Sequence, residues 1–324
     1  MSKALTASLE SDSLNRVQPS VLFLLVFSVI PALASVSYTY DAAGRLIKVD
    51  YGNGTVIAYS YDKAGNMLSR QVQNSGPAIT SVNTSGAGPV IAQNTWIEIK
   101  GMGLAPANTP AAGVTWSNAP SFATGSLPTQ LGGVSVKVNG QSAFVYFYCS
   151  AVTSTICTSD QINVLTPLDA TIGQASVVVS NNGASSQPFM VAMKSLAPSF
   201  LLFSAKGYVV ATHADNSLIG PTTLFPGLST PAQGGEPIIV YGVGWGLPTT
   251  QIVNGSSSQS GPLASLPVCT IGGKNAPLSF AGLISPGLYQ FNISVPAGAA
   301  SGDNPISCTY GGASTPATDL IALQ

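Results

Sequence analysis

Charge is what this sequence has least of: only 7% of its 324 residues are Asp, Glu, Lys or Arg, against about 25% in an average soluble protein. The eleven Lys and Arg are scattered, so no basic stripe exists to neutralise phosphates and no polybasic patch exists to meet an anionic membrane. Nucleic acid is therefore excluded as an expected partner, and a membrane partner is left only to the N-terminal segment. Histidine is nearly absent, with His213 alone, and no Cys-x-x-Cys pair occurs, so a zinc site lacks its ligands. No Gly-x-Ser-x-Gly elbow accompanies His213 and Asp215, which leaves them as residues of a turn rather than members of a hydrolytic triad. The carboxylates beyond residue 76 are Glu98, Asp160, Asp169, Asp215, Glu236, Asp303 and Asp319; they fall on separate strands and turns, with no pair spaced for glycoside hydrolysis and no calcium loop. Asp160 and Asp303 read as caps of turn backbone. Gly101-Met102-Gly103 and Gly242-Val243-Gly244-Trp245-Gly246 lack the third glycine and the following helix of a dinucleotide site. The expectation is a protein that is not an enzyme, with no cofactor and no metal.

What is there points to strands and turns. Apolar residues make up 45% of the chain, interrupted by 34 glycines and 23 prolines. Residues 21–34, VLFLLVFSVIPALA, form an apolar run of signal-peptide length ending in Ala32-Leu33-Ala34, which predicts cleavage before Ser35 and export to the periplasm, cell surface or medium. Glu10 and Asp12 dilute the positive charge ahead of it, so an uncleaved anchor is the competing expectation. Four cysteines suit an oxidising compartment, and of the three connectivities the local one, Cys149–Cys157 with Cys269–Cys308, is favoured by proximity in sequence.

Two short units open the exported part. Tyr38-Thr39-Tyr40-Asp41-Ala42-Ala43-Gly44-Arg45-Leu46 returns as Tyr59-Ser60-Tyr61-Asp62-Lys63-Ala64-Gly65-Asn66-Met67, each a strand, a tight turn and a second strand. These residues resemble the YD repeat of Rhs-type bacterial surface and toxin proteins. Gln73 to Gly76 reads as a linker.

A longer repeat follows. Trp96-Ile97-Glu98-Ile99-Lys100 alternates as a half-buried strand does, and Val134, Val136 and Val138 alternate into Asn139-Gly140, a hairpin turn that predicts Phe144 to Tyr148 as the returning strand. Ile238 to Gly244 echoes Ile97 to Gly103, Gly272-Gly273 echoes Asn139-Gly140, and Tyr289-Gln290-Phe291-Asn292 echoes Asp160-Gln161-Ile162-Asn163. The offset between copies drops by four residues across the stretch holding Cys149 and Cys157, so the first copy carries a short insertion there. The order of strands predicts an all-β protein: two tandem immunoglobulin-like β-sandwiches behind a small N-terminal β-hairpin segment. The expected division is 1–34 signal peptide, 35–76 YD-repeat hairpins and linker, 77–193 first sandwich, and 194–324 second sandwich.

Pro77-Ala78-Ile79-Thr80-Ser81-Val82, with Lys100-Gly101-Met102-Gly103-Leu104, resembles the opening of an IPT/TIG domain. The blocks from Leu127 to Val134 and Asp160 to Val164, with Ala211 to Asp215 and Pro286 to Asn292, are similar to an uncharacterised exported C-terminal domain family abundant in acidobacteria. That resemblance implies architecture and an extracellular address, and no activity.

Aromatic rings remain as candidates for contact with a ligand. Trp96, Trp116, Trp245, Tyr146 and Tyr148 compete between core packing and a surface role. Trp116 lies among Thr115, Ser117, Asn118 and Pro120, a loop-like setting, so Trp116, Tyr146 and Tyr148 form the expected binding set. The function expected is an interaction or adhesion module for extracellular glycan or protein; a structural spacer without specific ligand is the alternative.

Overall fold

The computed structural model describes residues 36–50, 55–74, 76–203 and 207–324; the export segment at 21–34 lies outside the described residues. The chain divides into two compact units, Met1–Asn74 and Ser75–Gln324.

In the first unit the strands are β1 (Ser37–Tyr40), β2 (Leu46–Asp50), β3 (Thr55–Tyr61) and β4 (Met67–Asn74), joined in the order β1-β2-β3-β4. Each unit of the short repeat is an antiparallel hairpin. Asp41 and Asp62 build the turns: Asp41 Oδ1 accepts from the Ala43 and Arg45 amides, Asp62 Oδ1 accepts from Asn66, and Gly44 and Gly65 supply the positive φ that closes each loop. β4 continues through Gln73 and Asn74, so the segment expected as linker is in part strand.

The second unit begins with β5 (Ala78–Thr84), β6 (Val90–Ile91), β7 (Trp96–Met102) and β8 (Val114–Thr115). There follow β9 (Gln130–Leu131), β10 (Val134–Val138), β11 (Gln141–Ser142) and β12 (Phe144–Cys149), then β13 (Asp160–Leu165), β14 (Gly173–Asn181), β15 (Ala184–Ser185) and β16 (Phe189–Met193). Two sheets result, β5-β7-β13-β12-β8 and β11-β10-β14-β16-β6, and the aliphatic side chains of their inner faces form one core, including Ile97, Ile99, Val136, Ile162, Val164 and Val179.

The chain repeats the plan with β17 (Ser199–Phe200), β18 (Ala211–Thr212), β19 (Leu218–Ile219), β20 (Ser229–Thr230), β21 (Pro237–Val243) and β22 (Gly261–Pro262). β23 (Val268–Ile271), β24 (Lys274–Asn275), β25 (Leu278–Ser285), β26 (Leu288–Ser294), β27 (Gly302–Tyr310), β28 (Ala313–Ser314) and β29 (Leu320–Leu323) complete it. The run β7-β13-β12-β8 has its counterpart in β21-β26-β25-β22, and β11-β10-β14-β16 in β24-β23-β27-β29. A second core, separate from the first, is built around Trp245, Phe200, Phe291 and Tyr289. The fold is all-β and of sandwich type.

One expectation fails in the first copy, and the second copy makes the same crossing. Phe144 to Tyr148 does not return alongside β10: only Gln141 and Ser142 pair back, and the chain then crosses at buried Ala143 to the opposite sheet, where β12 pairs with β13. β25 crosses likewise after β24. An Asn-Gly turn fixes the reversal but not how many residues stay in the same sheet.

The repeated glycines have a packing reason. A Cβ on Gly101 would lie 2.0 Å from the Ala78 carbonyl oxygen, and one on Gly242 2.5 Å from that of Ser199, so strand contact itself demands glycine at both equivalent positions.

The structure joins Cys149 to Cys157 and Cys269 to Cys308. The second bridge links β23 and β27 directly across from one another, at the place where the first copy sets Val136 opposite Val179. The first ties the end of β12 to the inserted loop. Replacing both Cys149 and Cys157 with alanine is expected to cost about 2.5 kcal/mol for a loop this short. Urea unfolding of the variant beside the oxidised parent measures it, and an unchanged midpoint would show the loop to be held by other contacts.

Candidate functional site

β12 carries the feature that builds the site. Its register against β13 slips between Val145 and Phe147, which makes Tyr146 an extra residue. Val145 and Tyr148 both belong to the core, three residues apart rather than two, so the bulge reverses the alternation and turns Tyr146 to the outer face. There it meets Trp96 from β7 at 5.6 Å between ring centroids and Trp116 at 5.0 Å, both edge to face. Trp96 and Trp116 are themselves 5.5 Å apart, and Phe122 closes on Trp116 at 5.5 Å. Such pairs favour each other through opposed edge and face charge, adding about 0.5–1.5 kcal/mol each to the area they bury.

Local hydrogen bonds hold Trp116 in place. Its amide donates to the Tyr146 carbonyl, extending the pairing of β8 with β12, and its own carbonyl accepts from Ala119 ahead of the 3-10 turn Pro120–Thr124. All four rings are half-buried, and Trp96, Trp116 and Phe122 pack over Leu127, Phe144 and Leu165. Burial pushes the Tyr146 hydroxyl above the usual phenol range.

A cavity of about 490 Å³ is lined by Thr115, Ser117, Asn118, Ser121, Thr129 and Gln130 together with small and apolar residues such as Pro128 and Leu131; none of the four rings is part of the lining. None of its lining residues is charged. Hydroxyls and carboxamides both donate and accept, so the lining suits a neutral, hydroxyl-rich ligand better than an ion.

Of the expected binding set, Trp116 and Tyr146 come together and Tyr148 does not join them. Tyr148 is 4% exposed and its ring packs in the first core, which corrects its assignment as a contact residue. The spacing Tyr146-x-Tyr148 puts both on one face of a regular strand; the bulge separates them. Trp96 completes the cluster, and its role is shared: its indole N–H donates to the Pro286 carbonyl, 2.8 Å away, across the seam between the two sandwiches. Leu127 N–H to Gly255 O at 2.7 Å and Ser257 N–H to Gly125 O at 2.9 Å run along the same seam.

The titratable residues are dispersed. His213 Nδ1 pairs with the Glu236 carboxylate and Nε2 lies 3.0 Å from the Thr230 hydroxyl, while Asp215 accepts from the Ser217 amide and hydroxyl. His213 also closes its hairpin, its amide donating to Ser217 O. Glu98 pairs with Lys100 at 2.7 Å, Asp160 accepts from the Leu104 and Ala151 amides, and Asp169 accepts from Thr171 and Asn139. Asp303 caps no turn; it sits in β27 and accepts the Tyr208 hydroxyl at 2.8 Å. Asp319 is fully buried with neither carboxylate oxygen hydrogen-bonded among the described residues, and desolvation raises its pKa to about 7. Sequence reasoning missed it because an aspartate between Thr318 and Leu320 looks like any turn residue. Among the described residues no group of three or more His, Cys, Asp or Glu converges as a metal site requires, and no helix is long and apolar enough to cross a membrane.

Comparison with known proteins gives a family match for the first unit. The RHS Repeat model matches residues 40–76. No curated protein matches the chain. Among solved structures, the chain is similar to SGBP-B of the Bacteroides ovatus mixed-linkage glucan utilization locus, solved with a mixed-linkage heptasaccharide, at 10% identity and a TM-score of 0.31, over 84% of this chain and 54% of that one. It is similar to the adhesin InvE of Yersinia pseudotuberculosis at 10% identity and a TM-score of 0.19, over 76% and 58%. The Plexin A4 extracellular region gives 12% identity and a TM-score of 0.24, over 76% and 15%. The chain thus spans about half the length of the Bacteroides protein, and residues 40–76 carry a sequence similar to the RHS repeat.

Proposed function

We propose that this is an exported, non-catalytic binding protein that takes neutral extracellular glycan at the Trp116 cavity of its first sandwich. The observation that carries this reading is an uncharged cavity lining that mixes hydroxyl and carboxamide side chains with apolar ones, Thr115 and Ser117 of it flanking Trp116 in the chain. Sugars offer apolar C–H faces and hydroxyl edges, which such a lining meets with apolar contact and paired hydrogen bonds. Two disulfides support an oxidising location. The IPT/TIG-like resemblance and the division into 77–193 and 194–324 belong to the same proposal, with the cell surface or periplasm as its setting.

Affinity electrophoresis through gels containing neutral polysaccharides tests it. The parent protein is expected to be retarded, and Trp116→Ala to lose tenfold or more of that retardation. Since Trp116 also packs against three rings, Asn118→Ala is the companion variant: its side chain is exposed, lines the cavity and leaves the cluster intact, and it is expected to lose several-fold. Unaltered mobility of the parent across neutral polysaccharides would remove the glycan reading.

The spacer reading draws on a different observation. Trp96 and the hydrogen bonds at Gly125, Leu127 and Pro286 fasten one sandwich to the next, as a stiff extension requires. Trp96→Phe keeps the ring and removes the bond to Pro286; a drop in thermal midpoint with no change in polysaccharide retardation is the expected result.

A further inference from the structure

Among its described residues the first unit contains one junction between repeats, and the strands at the two ends of its sheet each pair on one side only. Inside the sheet, the second strand of the first repeat, β2, pairs antiparallel with the first strand of the second repeat, β3, through Lys48↔Ala58, Val49↔Ile57 and Asp50↔Val56. Side chains reinforce it: the Tyr61 hydroxyl donates to the Leu46 carbonyl at 2.8 Å, and Arg45 donates to the Asp62 carbonyl while its guanidinium lies 5.0 Å from the centre of the Tyr61 ring.

The 21-residue period places β1 where β3 stands and β4 where β2 stands. β1 is therefore a strand of the type that accepts a preceding repeat, and β4 one of the type that accepts a following repeat. Among the described residues each pairs on one side only. Tyr40, the counterpart of Tyr61, is 57% exposed and its hydroxyl has no partner among the described residues; Met67, the counterpart of Leu46, is equally exposed at 57%. A sheet whose end strands expose Tyr38 and Tyr40 at one edge and Met67, Leu68 and Val72 at the other is a template for strand addition.

We propose that these edges meet between copies: β4 of one chain pairs antiparallel with β1 of a second copy, repeating the β2–β3 junction head to tail. The register carries over residue by residue. Ser69 takes the place of Lys48 opposite Ser37 in the place of Ala58, Arg70 lies opposite Val36, and the Tyr40 hydroxyl donates to the Met67 carbonyl of the neighbour. Asn66 stands where Arg45 does, so the new junction lacks the guanidinium–ring contact and is weaker than the one inside the chain. The contact is heterologous: each addition leaves a fresh β4 and a fresh β1 at its ends, so it propagates rather than stopping at a dimer. A row of chains multiplies whatever the sandwiches bind, raising avidity without any new contact at the binding site.

Disulfide trapping in the full chain tests the pairing and its direction. Both native disulfides are formed and the described chain has no free thiol, so added cysteines report without background. Ser37→Cys and Ser69→Cys proteins, mixed in equal amounts and oxidised mildly, are expected to give the 37–69 cross-link in about tenfold excess over 37–37 and 69–69 together. Adding Tyr40→Phe to the Ser37→Cys protein is expected to reduce the yield several-fold. A chain carrying both Ser37→Cys and Ser69→Cys should give a ladder of multiples on a non-reducing gel. Predominance of 69–69 would mean that β4 pairs with itself, a statistical mixture would mean random collision, and no cross-link would mean that the edges stay apart; each of these overturns the proposal.

Discussion

Changing Asp319 to asparagine is expected to stabilise the protein at pH 8 by about 4 kcal/mol. The carboxyl is fully buried, neither oxygen has a hydrogen-bond partner among the described residues, and desolvation raises its pKa from 3.8 to about 7. In the unfolded chain the group ionises near pH 4; in the folded chain it holds its proton until about 7. Between those values the native state binds the extra proton, so the stability of the parent falls as pH rises through this window and levels off above it. Three pH units at about 1.4 kcal/mol each set the size of the penalty. The amide cannot ionise, so the variant escapes the penalty, and the difference should shrink to near zero by pH 4. Urea unfolding of both proteins at pH 4, 6 and 8 reads this directly; equal stabilities at pH 8 would show that the carboxyl finds a counter-charge or solvent.

Truncating Trp245 to alanine should have the largest effect of the opposite sign, a loss of about 3–5 kcal/mol. The indole is fully buried between Phe200 and Phe291, with centroids 5.9 and 4.4 Å away, and its N–H reaches toward the Ser199 carbonyl at 3.4 Å. The first copy places Leu104 at the corresponding point after its Gly103, also fully buried. The two cores thus solve one position with different volumes. Trp245→Leu is accordingly expected to recover part of the loss, because it returns apolar contact but not the ring pairs. Should alanine cost under 1 kcal/mol by thermal or urea unfolding, the second core would have collapsed into the vacated space.

Strand positions were readable wherever alternation was regular. Ile97 and Ile99 are in, Trp96 and Glu98 are out, and Asn139 and Gly140 adopt the paired positive φ that their side chains tolerate. Partner choice was harder, because a period of two says which face is buried and not which strand lies alongside; hence the unforeseen crossing at Ala143. Of the site, Trp116 was recognisable from its polar neighbours. Tyr148 was misplaced because nothing in Val145-Tyr146-Phe147-Tyr148 announces a bulge. Asp319 was invisible for a related reason: burial depends on segments distant in sequence, and its neighbour Leu320 donates its amide to the Gly207 carbonyl more than a hundred residues away.

The place shared by Val136–Val179 and Cys269–Cys308 makes the molecule its own control. The two halves share one strand plan with a covalent rung in one and an aliphatic rung in the other, in matching register and equally sealed from water. Exchanging the two residue pairs between halves would isolate the worth of a covalent rung from that of the surrounding sheet, a comparison that unrelated proteins cannot offer because their frameworks differ as well.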